Sequence, residues 1–241
     1  MFAGPNGSGK STLQSVLHHE LLGLSINPDE IEREMRQWSF LDLEAFGIQT
    51  TSEEILPFFH ASTLLQRAEL DEEARELRFS DGKLSFYAVL PNAYFASVAA
   101  DFVRRKLLEK RASFTFETVM SSPDKVLLMQ EAQRLGYRTY LYYVATEDPL
   151  INVSRVRLRM RQGGHSVPED KIISRYARSL QLLPQVIRHS NRAYIFDNSS
   201  HEQIWLAEVT DGTHLEIKAR RIPSWFQKAV LDKADASPPS S

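Results

Sequence analysis

The sequence predicts an α/β fold: a five-stranded, mostly parallel sheet flanked by helices, carrying an inserted segment and a C-terminal hairpin. Three observations predict it. Apolar runs of strand length alternate with stretches of helical period, the pattern of βαβ units around a parallel sheet. The chain opens MFAGPNGSGKST, in which Gly4 to Ser11 fit GxxxxGK[ST], the loop that joins a first strand to a first helix in the P-loop NTPase fold. At 241 residues and 42% hydrophobic content, the chain is long enough to bury the core of one elaborated domain.

Taken in order, MFA is the strand before the loop and a helix runs from Lys10 to about Leu22. LSIN (Leu24 to Asn27) is a short strand, and PDEIEREM after it is helical. Residues from about Gln37 to Pro91 form an insertion, in which SDGK between alternating runs marks a hairpin turn. Asn92 caps the helix NAYFASVAADFVRRKLLEK, which returns to the core at Ser113. FTFETV (Phe114 to Val119) is the next core strand, followed by a helix with Ser122 as N-cap and Pro123 in the first position, closed by Gly136. YRTYLYYVAT (Tyr137 to Thr146) is a strand, Pro149 to Gln162 a basic helix, Pro168 to about Ser190 another helix, and AYIFDNSS the fifth strand. The organisation expected is a core over 1–205, an appendage over 206–235 made of the hairpin WLAEVTDGTHLEIKA and a short helix, and a disordered tail over 236–241.

MFA is short for a central strand, since strands usually run about five or six residues. The expectation is therefore a true start upstream of Met1, or a shortened coding frame. Adding the upstream in-frame residues and measuring thermal stability tests it.

Composition narrows the function. Against 31 acidic residues stand 29 basic ones, a net charge of −2, which lacks the cationic excess of a chain that tracks nucleic acid. Cysteine is absent, so disulfides and thiolate zinc sites are excluded. No charged leader with an apolar run precedes the loop, and no stretch reaches membrane-spanning length. The expectation is a soluble, cytoplasmic protein acting on a small molecule, with no nucleic-acid or membrane partner.

In the loop, glycines let the backbone curl so that successive amides face phosphate oxygens. The nucleotide-binding set is Gly4, Asn6, Gly7, Ser8, Gly9, Lys10, Ser11 and Thr12. Lys10 reaches the β- and γ-phosphates, Ser11 holds Mg²⁺, and the helix N-terminus faces the anion. Ligands of an open parallel sheet bind beyond the carboxyl ends of its strands. Asp29, Glu117, Asp197 and Asn198 all fall at such ends. Asp29 is either a general base for a substrate hydroxyl or a helix N-cap. Glu117, with Thr118 beside it, holds a substrate hydroxyl or a Mg²⁺ water, or is merely polar at a strand end. Asp197 and Asn198 read as a turn, with contacts near the base.

SRVRLRMRQGGH carries Arg155, Arg157, Arg159 and Arg161. Spacing by four puts Arg155 and Arg159 on one helical face, where guanidinium forks suit the γ-phosphate charge; Arg157 and Arg161 read as solvated. Gly163 and Gly164 are either a hinge or a C-cap. His165 donates to phosphate or substrate, or packs in a turn. Arg175 and Arg178 face the same crevice or lie on the surface.

In this order, GPNGSGKST, INPDEI, SFTFETVMSS, RVRLRMRQGGHSVPEDKIISRYARSL and YIFDNSS together resemble the zeta-toxin-like family of P-loop kinases. The resemblance spans the N-terminus to Asp29 and Ser113 to Ser200. It implies a kinase-type sheet with the first strand central, ATP as phosphoryl donor, and a small hydroxyl acceptor, which in zeta toxins is the 3′-hydroxyl of UDP-N-acetylglucosamine. It implies Asp29 as base, Glu117 as substrate-side acid, Arg155 or Arg159 as γ-phosphate ligand, and an antitoxin protein as partner if the chain is a toxin. Where such toxins commonly place a second lid arginine before the proline, this chain has GGHSVP, which moves that role to His165, Arg175 or Arg178. Two rivals stand beside this expectation. A transporter-type ATPase needs a Ser-Gly-Gly-Gln signature that the sequence lacks, and a nucleotide-binding regulator needs no turnover at all.

Overall fold

The computed structural model describes residues 1–15, 17, 22–162 and 167–235. The chain forms two compact units, Met1–His18 with Glu117–Ser241, and His19–Phe116. In the first unit β1 (Phe2–Ala3) leads through the glycine loop into α1 (Lys10–Ser15). The second unit carries β2 (Leu24–Ile26), α2 (Pro28–Trp38), β3 (Phe40–Asp42), α3 (Ser52–His60), α4 (Thr63–Arg67), α5 (Asp71–Arg75), β4 (Arg78–Ser80), β5 (Lys83–Ser85) and α6 (Ala93–Glu109). β6 (Phe114–Thr118) crosses the boundary back to the first unit. There follow α7 (Asp124–Arg134), β7 (Tyr140–Ala145), α8 (Pro149–Arg161), α9 (Glu169–Arg188), β8 (Arg192–Asp197), β9 (Ile204–Thr210) and β10 (His214–Ile217). A C-terminal helical segment closes the described chain: Ser224–Phe226, a π-helical stretch Gln227–Leu231, and Asp232–Asp235.

Within the first unit β1 lies between β7 and the end of β6, parallel to both, in registers Phe2↔Tyr142 and Phe2↔Glu117. β8 pairs in parallel with β7, and β9 and β10 then add antiparallel. The expected C-terminal hairpin is present, but it extends this sheet rather than standing apart, and a boundary at 205/206 falls inside β9. The strand count thus exceeds five because the hairpin satisfies the free edge of β8. β1 is only two residues long and fully buried. Its side chain Phe2 stacks on Tyr142, which stacks on Tyr194, with centroids 4.9 and 5.0 Å apart. The Met1 amino group donates to Tyr140 O at 2.7 Å, and burial pushes this amine down to about 5.

On α9 the residues Ile172, Tyr176, Ser179, Leu183, Val186 and Ile187 are buried, a spacing of three and four that makes one apolar stripe. Tyr143 of β7 meets Ser179 through its hydroxyl at 3.0 Å, and burial raises that phenol well above its ordinary range. α7 starts differently from expectation. Pro123 itself takes the N-cap position, while the Ser122 hydroxyl bonds the Asp124 carboxylate instead of a helix amide.

In the second unit β2 pairs in parallel with the first half of β6. The insertion folds as a three-stranded antiparallel sheet, β3-β5-β4, with three short helices. Asp81 and Gly82 turn the hairpin with φ of 49° and 73°, the left-handed pair that a tight two-residue turn requires. Asn92 caps α6, its Oδ1 accepting from the amides of Tyr94 and Phe95 at 2.9 and 3.3 Å. Among the described residues no helix is long and apolar enough to cross a membrane.

Candidate phosphate-binding site

The loop departs from β1 at Gly4, whose φ of +141° suits glycine. Its curl is held from outside by two asparagine amides. Asn152 of α8, fully buried, donates from Nδ2 to Asn6 O at 2.6 Å. Asn198, just past β8, donates from Nδ2 to Ser8 O at 2.7 Å. In a planar trans peptide the carbonyl and the following N–H point opposite ways, so these two clamps turn the amides of Gly7 and Gly9 to the other side. That is the orientation an anion cradle needs. A Cβ on Gly7 would lie 2.8 Å from Asn152 O, and one on Gly9 only 2.2 Å from Asn198 Nδ2. Gly9→Ala, at φ +99°, is therefore expected to cost roughly 1–3 kcal/mol, read as a fall of roughly 2–10 °C in a thermal melt.

Inside the loop Lys10, 6% exposed, donates from Nζ to Gly4 O at 2.9 Å and Pro5 O at 3.1 Å. Register brings Glu117 to the same place. Its Oε1 is 3.6 Å from Lys10 Nζ, and its Oε2 accepts from Ser11 Oγ at 3.1 Å. Thr118 beside it accepts from Gly4 N through its carbonyl, and from Met120 N through Oγ1. Asn6 Oδ1 and Ser8 Oγ are buried without a protein hydrogen-bond partner among the described residues. Buried polar atoms without partners are costly; of the two, the Ser8 hydroxyl can donate to a phosphate oxygen, whereas the Asn6 amide oxygen only accepts. The residues present thus fit a bound phosphate chain, with Ser11 and Glu117 as oxygen donors of the kind Mg²⁺ takes.

The strand ends beyond the loop are tied together. Asp197, 6% exposed, accepts from Ser199 N at 3.2 Å, and from Ser199 Oγ and Trp225 Nε1 at 2.7 Å each. Tyr176 donates its hydroxyl to Thr146 O at 2.6 Å. Burial first, and then the charges of Glu147, Asp148 and Asp197, raise its phenol, so it stays a donor across the neutral range.

The arginines separate by what they touch. Arg155 is half-buried, and its guanidinium holds Asn198 O at 2.7 Å and Ser200 O at 3.3 Å. Arg157 pairs with Glu169. Arg159, Arg161 and Arg178 are exposed and Arg175 is partly exposed. Asp29 belongs to the second unit and is exposed at the start of α2. Asn27 performs the capping there, its Oδ1 accepting from Asp29 N at 3.0 Å, so the Asp29 carboxylate is not the N-cap. Gly163, Gly164 and His165 lie outside the described residues. Sequence reasoning missed Asn152 and Trp225. For Asn152 the available signal was an amide side chain within the apolar run Leu150, Ile151 and Val153.

A glycine loop between a buried first strand and a helix, at the carboxyl edge of a parallel sheet, defines a P-loop α/β protein. Residues 92–210 match the family model described as Zeta toxin. Over that stretch, just under half of its length, the chain resembles the zeta-toxin family. It is also similar to a chain of the AvrRxo1-ORF1:AvrRxo1-ORF2 complex crystallised with sulphate ions, at 14% identity and a TM-score of 0.58, over 100% of this chain and 64% of that one. The same complex with ATP gives 15% identity and a TM-score of 0.56 over the same shares, 100% and 64%. An uncharacterized protein of Haemophilus influenzae is 28% identical over 69 residues, which are 29% of this chain and 49% of that protein. The chain thus spans about half the length of the curated relative it matches.

Proposed function

We propose that the chain is an ATP-dependent phosphotransferase that moves the γ-phosphoryl of ATP to a hydroxyl of a small molecule. The observation that carries this reading is the loop itself, clamped by Asn152 and Asn198 with Lys10, Ser11 and Glu117 gathered inside it. One of the structural neighbours was crystallised with ATP, which agrees with the donor. The candidate acceptor is a nucleotide sugar such as UDP-N-acetylglucosamine, the candidate protein partner an antitoxin, and the site of action the cytoplasm.

The roles divide as follows. The amides of Gly7 and Gly9 and the Lys10 ammonium hold the phosphates, Thr12 lies at the start of α1 next to them, and Ser11 with Glu117 would hold Mg²⁺. When bound, Mg²⁺ neutralises phosphate charge as the leaving group departs. Asp29 takes the proton of the acceptor hydroxyl. The acceptor oxygen then forms a bond to the γ-phosphorus, the bond to the β–γ bridging oxygen breaks, and ADP leaves. Thr118, His165, Arg175 and Arg178 are the remaining substrate-side candidates.

Of the two lid arginines, Arg159 is the better γ-phosphate ligand, because Arg155 is committed to the carbonyls of Asn198 and Ser200. Arg159→Ala is expected to lower kcat about a hundredfold or more with an unchanged melting temperature. Arg155→Ala is expected to lower the melting temperature as well, since two carbonyls lose their donor. Equal melting curves for both variants, with equal losses of kcat, would sink this division.

Incubation with ATP, Mg²⁺ and a panel of nucleotide sugars and nucleosides, followed by mass spectrometry, tests the function. An acceptor heavier by one phosphoryl group is the expected product. Phosphate release without any acceptor product would make the chain an ATPase, and neither outcome would leave a nucleotide-binding regulator.

A further inference from the structure

The C-terminal helical segment begins with a double hook. Ser224 donates both its amide, at 3.1 Å, and its hydroxyl to Glu147 Oε1. Trp225, 4% exposed, donates Nε1 to Asp197 Oδ1 at 2.7 Å. Glu147 follows closely on β7, and Asp197 ends β8. Ser199 joins the two, accepting from Glu147 N and donating to Asp197 Oδ1, both at 2.7 Å. Between Asp197 and Ser199 sits Asn198, whose amide bonds Ser8 O in the phosphate loop.

We propose that Trp225 is a positioning residue for the nucleotide site, acting through Asp197 and Asn198 on the phosphate loop. The inference rests on the nucleotide-binding reading above. A buried carboxylate that loses a donor is driven to find another, and a shift of Asp197 carries with it the turn that holds Asn198. Asn198 in turn sets the Ser8 carbonyl, and the planar peptide transmits that setting to the Gly9 amide. The competing role is simple packing, since the Trp225 ring also lies 6.3 Å from Tyr143 and 5.7 Å from Phe226. Packing predicts a loss of stability alone; positioning predicts a loss of nucleotide affinity that disappears once Asn198 is removed.

The test is a double-mutant cycle on the full chain, read by the fluorescence of N-methylanthraniloyl-ATP with Mg²⁺. Trp225→Phe keeps a ring and removes the N–H. It is expected to weaken binding about five- to tenfold, a part of what one hydrogen bond to a charged group contributes, since the effect reaches the loop through Asn198. In an Asn198→Ala background the same change is expected to cost less than about twofold. Effects that multiply in the double variant, or a Trp225→Phe chain that binds like wild type, overturn the proposal. If Trp225→Phe does not fold, Ser199→Ala stands in for it: weakened binding is expected, and wild-type affinity overturns the proposal. A wild-type chain that binds no analogue overturns the nucleotide reading itself, and this inference with it.

Discussion

Lys10→Ala is expected to abolish measurable transfer and to weaken ATP binding about tenfold or more, the largest loss from any single change in the phosphate loop. The side chain is 6% exposed, and its ammonium sits between Gly4 O, Pro5 O and Glu117. A cation held in place before the reaction costs no reorganisation when charge moves onto the departing phosphate, and removing one such donor typically costs about 10²–10³ in kcat. The same deletion leaves the Glu117 carboxylate without its nearest cation and two loop carbonyls with one donor fewer, so the unliganded melting temperature should fall too. Lys10→Met keeps the apolar stem and separates the two effects. It is expected to retain more of the melting temperature than Lys10→Ala while losing transfer equally. Transfer by Lys10→Met within about tenfold of wild type would show that the ammonium is not the electrostatic element of the site.

The parallel core was legible because its signals are local. GPNGSGKST and the apolar strands each state their own conformation, and Asn92 caps α6 as its sequence context predicts, whereas Ser122 does not cap α7. The insertion hairpin was legible from SDGK for the same reason, since only residues tolerant of positive φ make that turn. What was not legible is which edge a strand pairs with. WLAEVTDGTHLEIKA announces a hairpin, yet nothing local says that β9 adds to β8. Pairing of that kind is decided by a free edge elsewhere in the fold.

The site divides along the same line. The loop residues and Glu117 are proposed from motif and strand position, but the partners of Glu117 depend on the register Phe2↔Glu117, which sets it against Lys10 and Ser11. Arg155 and Arg159 share a helical face and read alike in sequence; only the carbonyls of Asn198 and Ser200 tell them apart. Asn152 and Trp225 act across separations of 146 and 28 residues. No spacing rule connects residues so far apart, because the contact is made by the sheet order and not by the helix or strand that carries either side chain.

Asp29→Asn is expected to lower transfer by at least about 10²–10⁴ while leaving ATP affinity within about twofold of wild type. The substitution keeps size and polarity and removes only the ability to take a proton. Because Asn27 and not Asp29 caps α2, the change should leave the helix start intact and the melting temperature unmoved. Asn27→Ala supplies the contrast. Loss of that cap should cost about 1 kcal/mol of stability without removing the base, so its transfer per folded molecule should stay near wild type. If Asp29→Asn instead lowers the melting temperature as Asn27→Ala does and transfers phosphate normally, the carboxylate serves the helix and the base must be sought elsewhere. If transfer is lost with stability preserved, the proton's destination is fixed at the exposed carboxylate that follows β2, two residues beyond the cap.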